Sequence, residues 1–249
     1  MYLDLLRVGR RKTRVKCSRL RHFSVEECRA CRRHLTTVPP TTMFKRFDAS
    51  NDVSTSTQVK ASVQRGIKSQ ILAAHPSITD DVLDELLPKK IPLVQYKIGP
   101  HLMLYCRMLS SQEGSGGDEP VFFQHRDGPI LPTLKFVHKY PKLGFTHVKV
   151  DKGAIPFLLG GANVMCPGLT NVGGEMPPDD NNEGDDNNDN NPALQKGDGV
   201  IIYAEGKVLP IAVGFMLMSS IDIRKKNKGL GIEVCHFLGD GLWGTDEIQ

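Results

Sequence analysis

The sequence predicts an α+β protein: an N-terminal domain of mixed helices and strands, then a second unit of short strands curled into a small barrel. Three observations carry this expectation. Val59, Val63, Ile67 and Ile71 recur at every fourth position, which marks an amphipathic helix. Apolar runs such as "LVQYKI" and "LMLYCRML" are strand-length and bounded by turn residues. Beyond residue 146, "HVKV", "ANVM", "GVIIYA", "PIAVGFMLM" and "EVCHFL" crowd several short strands into one segment.

In order, the folded pattern begins at "MFKRFD", with Met43. The helix of residues 59–71 follows, carrying Lys60, Arg65 and Lys68 on its other faces. "ITDDVLDELLP" reads as a second helix, capped by Thr79 or Asp80 and ended before Pro88. The strands "LVQYKI" and "LMLYCRML" come next, then a flexible tip "SSQEGSGGDE" and a third strand "VFFQH". "PTLKFVHKYP" is a short helix started by Pro132 and stopped before Pro141. In the second unit "KGAIPFLL" is a short helix, and "ANVM" a strand that must stop at Pro167. "EGK" joins two apolar strands, and "RKKNKG" reads as a basic loop.

Charge is unevenly placed. Residues 1–42 hold 11 Lys and Arg against 3 Asp and Glu, while 6 acids fall between Asp179 and Asp189 in a 249-residue chain of net charge +4. With both segments set aside the body is nearly neutral, so any basic patch is local. The basic extension, 1–42, lacks periodicity; it reads as a disordered arm, as upstream sequence that is not native with Met43 the true start, or as a targeting segment. The Asp/Asn-rich stretch near 175–195 cannot bury a core and reads as an inserted loop. No run of about 18 apolar residues spans a membrane.

Of six cysteines, Cys28 and Cys31 form a CxxC without a second close pair, so no metal is expected. Cys106, Cys166 and Cys235 sit among apolar neighbours and read as buried reduced thiols. Cys166 lies in "GGANVMCPGLT", where a reactive thiol, a phosphate-approaching glycine turn and a barrel strand compete as readings. A nucleophile needs a base or a positive field. Nothing local supplies one, and no catalytic or cofactor motif occurs elsewhere. A left-handed residue is expected at Gly160–Gly161, after the short helix.

"VDKGAIPFLLGGANVMCPGLT" resembles the opening helix and strand of a PUA domain, an RNA-binding pseudo-β-barrel. With "MFKRFD", "PTLKFVHKYP", "AEGK", "NKGLGIE" and "DGLW" in order, the chain resembles the malignant-T-cell-amplified-sequence family across residues 43–243, and is similar to the N-terminal part of ligatin. The departures are residues 1–42, the loop at 110–119 and the acidic insertion. The resemblance implies an N-terminal α+β domain at 43–142 and a PUA domain at 143–243. It also implies a cytoplasmic, noncatalytic translation factor, without cofactor, that partners density-regulated protein. Such a factor binds the rRNA of the small ribosomal subunit and promotes tRNA release in recycling and reinitiation. The alternatives are an accessory RNA-binding module for tRNA or rRNA modification, and a general RNA-binding module with no protein partner.

Transferred to this sequence, the RNA-facing surface of a PUA domain marks Lys149, Lys152, Gly160, Gly161, Ala162 and Asn163, with backbone amides of the turn approaching phosphate. The densest cationic cluster of the body, Arg224, Lys225, Lys226 and Lys228, is a second candidate. Lys60, Arg65 and Lys68, and Lys135 and Lys139 beside His138, are candidate contacts on the N-terminal helices. Ile155, Phe157 and Leu158 crowd one short helix together with Leu159. A helix on a barrel buries one stripe, so at least one of them is a candidate partner anchor, Phe157 having the largest area.

Overall fold

The computed structural model describes residues 43–88, 91–99, 101–108, 116–178 and 193–248. The basic extension, the tip of the first long hairpin and most of the acidic insertion lie outside the described residues.

The N-terminal half comprises α1 (Ala49–Asp52), β1 (Val53–Gln58), α2 (Ala61–Ala74), α3 (Asp80–Leu86), β2 (Leu93–Ile98), β3 (Leu102–Met108), β4 (Asp118–His125), β5 (Ile130–Pro132) and α4 (Leu134–Lys139). Its strands form one antiparallel sheet in sequence order, β1 to β5. β1 carries no hydrophobic alternation because five of its six residues are exposed, so no periodic signal announces it. The amphipathic helix, α2, begins at Ala61 rather than Val59, and Val63 is half exposed. A strict four-residue repeat drifts around a 3.6-residue helix, and the buried stripe is instead Gln64, Ile67, Lys68 and Ile71. α4 starts from Thr133, whose hydroxyl accepts from the Phe136 amide, while Pro132 ends β5.

The second half comprises β6 (His147–Val150), a 3-10 turn (Lys152–Ala154), α5 (Ile155–Leu159), β7 (Val164–Met165), α6 (Cys166–Thr170), β8 (Gly199–Ala204), β9 (Ala212–Met216), α7 (Ser220–Lys226), β10 (Leu230–Phe237) and α8 (Gly241–Gly244). Its strands run in the order β6-β8-β9-β10-β7, with β6 parallel to β8 and the other pairs antiparallel. "ANVM" does stop before Pro167, but α6 follows at once, since proline is tolerated in a first helical turn. "RKKNKG" is no loop: Arg224, Lys225 and Lys226 form the last turn of α7, closed by Asn227 in the left-handed region. Cations there face the negative end of the helix.

The two halves share β8, β9 and β10 as a common wall. Val200, Ile202, Ala212 and Val234 point into a core enclosed by the second half. Ile201, Val213 and Cys235, the alternate positions, belong to the N-terminal core instead. Phe44, fully buried, meets Phe123 and His236 edge-on at 5.2 and 5.8 Å. Near the end of the described chain, Ile248 exchanges backbone hydrogen bonds with Asp118, so a segment beyond the barrel extends the first sheet.

Candidate nucleic-acid interface

α5 ends in a motif that fixes the backbone of "LLGGAN". The Ala162 amide donates to Phe157 O and the Gly161 amide to Leu158 O, with Gly161 at φ +83°, a conformation glycine adopts without steric cost. Gly160 stays in the right-handed region and also donates back into the helix. The amides of Gly160, Gly161 and Ala162 are therefore engaged with helix carbonyls, not directed outward at phosphate. What the glycines contribute is bare backbone, close to which another chain can pass.

That turn borders a cleft of about 560 Å³. Its walls are Ala154, Phe157, Ala162, Val164, Met165 and Leu230, with Asp151 and Asn163 supplying polar edges. Met165 and Leu230 sit opposite one another across the β7–β10 pair, where a register shift interrupts the ladder. Phe157 is 68% exposed, Met165 51% and Leu230 44%, so an apolar surface stands open to solvent. The polar edges are committed locally. The Asp151 carboxylate accepts from the Ala154 amide and the Asn171 side chain, and Asn163 Oδ1 accepts from the Val234 amide at 3.0 Å. The cleft thus offers a mainly apolar wall whose polar edges are already engaged within the protein.

Cations lie close in the chain to its lining residues. Lys152 is exposed beside the 3-10 turn. The loop that follows α7 packs on the start of α6: the Cys166 amide donates to Gly229 O at 2.9 Å and its thiol to Lys228 O at 3.4 Å. Lys225, Lys226 and Lys228 are exposed there, Lys226 at 3.2 Å from Asp222 one turn earlier. One more cation comes from a distant segment. Lys45, from the N-terminal half, donates its ammonium to Gly160 O at 2.9 Å. Its signal in "MFKRFD" is only a charge, and its neighbour in space is 115 residues away.

Other candidates fall elsewhere. Lys149 is ion-paired with Glu175, whose carboxyl is held below its usual range by that partner. Arg224 donates to the carbonyls of Met176 and Pro177. On the N-terminal half, Lys60 and Arg65 are exposed. Lys68 is buried and paired with Asp84, because the helix turns that position inward. Lys135 donates to Thr245 O and Asp246, and Lys139 to Glu119. These three lysines are partnered rather than available. Of the apolar trio, Leu158 is core at 1% exposure, Ile155 is half-buried, and Phe157 alone stands out. Cys166 is fully buried and burial pushes its pKa up, while His236, one of the two histidines that could serve it as a base, is paired with Asp240 and buried against Phe44 and Phe123.

Residues 47–141 match the Pre-PUA-like domain, and residues 146–238 match the PUA domain. The chain is 44% identical over 203 residues to translation machinery-associated protein 20 of Schizosaccharomyces pombe, covering 82% of this chain and 98% of that one. It is 42% identical over 207 residues to the malignant T-cell-amplified sequence 1 homolog of Drosophila melanogaster, covering 83% and 100%. Malignant T-cell-amplified sequence 2 of Homo sapiens is 41% identical over 201 residues, covering 81% and 97%. Among solved structures, a hypothetical protein from Pyrococcus horikoshii OT3 superposes with a TM-score of 0.55 at 23% identity, over 76% of this chain and 98% of that chain, which shows a shared fold.

Proposed function

Because the chain belongs to the family of malignant T-cell-amplified sequence 1 and translation machinery-associated protein 20, we propose that it is a noncatalytic RNA- and ribosome-binding translation factor. In this reading it acts in the cytoplasm with density-regulated protein on the small ribosomal subunit, in tRNA release, recycling and reinitiation. The observation that carries the RNA part is the open apolar cleft beside the glycine turn, with Lys45 bonded to Gly160 O and with exposed Lys152 and Lys228 close in the chain to its lining residues. An unpaired base offers an apolar face with a charged backbone attached, and that combination fits such a site. Paired bases hide those faces, so the cleft suits a single-stranded end or loop better than a duplex.

The test places a negative charge in the cleft. Ala162 is exposed, so Ala162→Glu is expected to leave the melting temperature unchanged. It should weaken binding to a short single-stranded RNA about tenfold through repulsion of phosphate and loss of stacking area. Unchanged affinity in the folded variant would remove the cleft from consideration.

Phe157 bears on the partner. The ring lies on the cleft wall, reachable by RNA and by a protein alike. A lost apolar hot spot of about 2 kcal/mol weakens binding roughly 30-fold. Phe157→Asp is accordingly expected to lower affinity for density-regulated protein by about that factor, measured by calorimetry on purified proteins. If partner affinity holds while RNA affinity falls, the ring is a base-stacking residue and the partner docks elsewhere.

A further inference from the structure

Lys45 stands at the junction of two concavities. One is the cleft of the PUA domain, reached through its bond to Gly160 O. The other is a groove of about 780 Å³ on the N-terminal half, lined by Lys45, Arg46, Asn51, Asp52, Ser54 and Gly99 among others. All six are exposed. An ammonium has three donors, so one bond to Gly160 leaves two N–H groups and the full charge for a further anion.

We propose that this groove is a second RNA subsite, in which the sugar–phosphate backbone of a strand seated in the cleft continues past Lys45 to Arg46. This subsite rests on the RNA reading of the cleft and adds a path to it. The ligand is single-stranded RNA several nucleotides long. Arg46 is the groove's second cation; Asn51 donates one amide hydrogen to Asp48 and keeps the other, while Ser54 donates its hydroxyl to Lys97 O and can only accept, as from a ribose hydroxyl. Asp52 is the opposing charge. One of its oxygens accepts from the Asp48 amide at 2.8 Å, which keeps the carboxylate on the groove wall. Its presence limits the field, so the groove binds RNA only as an extension of a strand already held in the cleft. It also provides a change of opposite sign to Arg46.

The experiment compares oligouridylates of about four and about twelve nucleotides, the range that one such surface engages, by fluorescence anisotropy over a salt series. The proteins are wild type, Arg46→Ala, Asp52→Asn and Ala162→Glu. Arg46→Ala should weaken the longer oligomer about fivefold, with a salt slope shallower by about 0.7, and leave the shorter one unchanged. Asp52→Asn keeps the oxygen that accepts from Asp48 and removes the charge, so it should tighten the longer oligomer about twofold to threefold. If both groove variants match wild type on the longer oligomer while Ala162→Glu weakens both lengths, the subsite is overturned and the cleft stands. If Ala162→Glu also has no effect, or wild type binds neither oligomer, the cleft reading falls and the subsite falls with it.

Discussion

Gly241→Ala is expected to destabilise the protein by about 3 kcal/mol, the upper part of the range for overpacking, and to lower its Tm by roughly 10 °C. A Cβ at residue 241 would lie 2.2 Å from Phe47 O, 2.7 Å from Phe47 N and 2.9 Å from Phe47 C. All three are backbone atoms, so no side-chain rotation relieves the overlap. The Gly241 amide also donates to Phe44 O at 2.9 Å, tying the first turn of α8 to the "MFKRFD" segment. Gly244, in the same short helix, has nothing within 4 Å of an added Cβ, so Gly244→Ala is the matched control and should cost nothing. Thermal unfolding of both variants decides the matter; equal melting temperatures would mean the close approach is not rigid. The segment pushed aside by the new methyl contains Lys45, so Gly241→Ala should also loosen the bond to Gly160 and reduce RNA binding while the protein remains folded.

Replacing Lys225, Lys226 and Lys228 together by alanine is expected to weaken RNA affinity about 100-fold at low salt, with the salt slope shallower by about two units, if each lysine meets one phosphate of a single strand. Lys225 and Lys226 lie at the end of α7, and Lys228 follows in the loop held against Cys166, two residues before Leu230, which lines the cleft. The ion pair of Lys226 with Asp222 joins two exposed groups and contributes little to stability. The variant should therefore melt near the wild-type temperature. On the proposed reading, binding to density-regulated protein should survive, since exposed charges add little to a contact with an apolar anchor. Parallel salt slopes for wild type and variant would show these lysines to be merely solvated, and would shift the search to Lys152, Lys60 and Arg65.

The α+β class and most strands were legible because their apolar residues recur with a recognisable period. β2, for example, coincides with "LVQYKI" and β6 with "HVKV". The glycine turn was legible too, since a helix that ends at two glycines invites a left-handed residue, and Gly161 adopts it. β1, α6 and α7 were not. β1 is exposed, α6 opens with a proline that usually ends elements, and the cations of α7 mask a helix whose buried positions are only Ser220 and Ile223.

Two features had no local signature at all. The continuous apolar character of "GVIIYA" and "EVCHF" shows that these strands are buried, but periodicity alone does not say against what. Only the tertiary arrangement assigns Ile201 and Cys235 to one core and Val200 and Val234 to the other, because a strand buried on both faces looks the same whichever neighbour covers it. Likewise the sequence carries every cation of the site, yet the fold decides which remain available. Lys68, Lys135, Lys139 and Lys149 are drawn to Asp84, Asp246, Glu119 and Glu175 by contacts between distant segments, whereas Lys45 is brought to Gly160. Local sequence sets period, turn and charge; packing between distant segments decides which of those charges are paired within the fold.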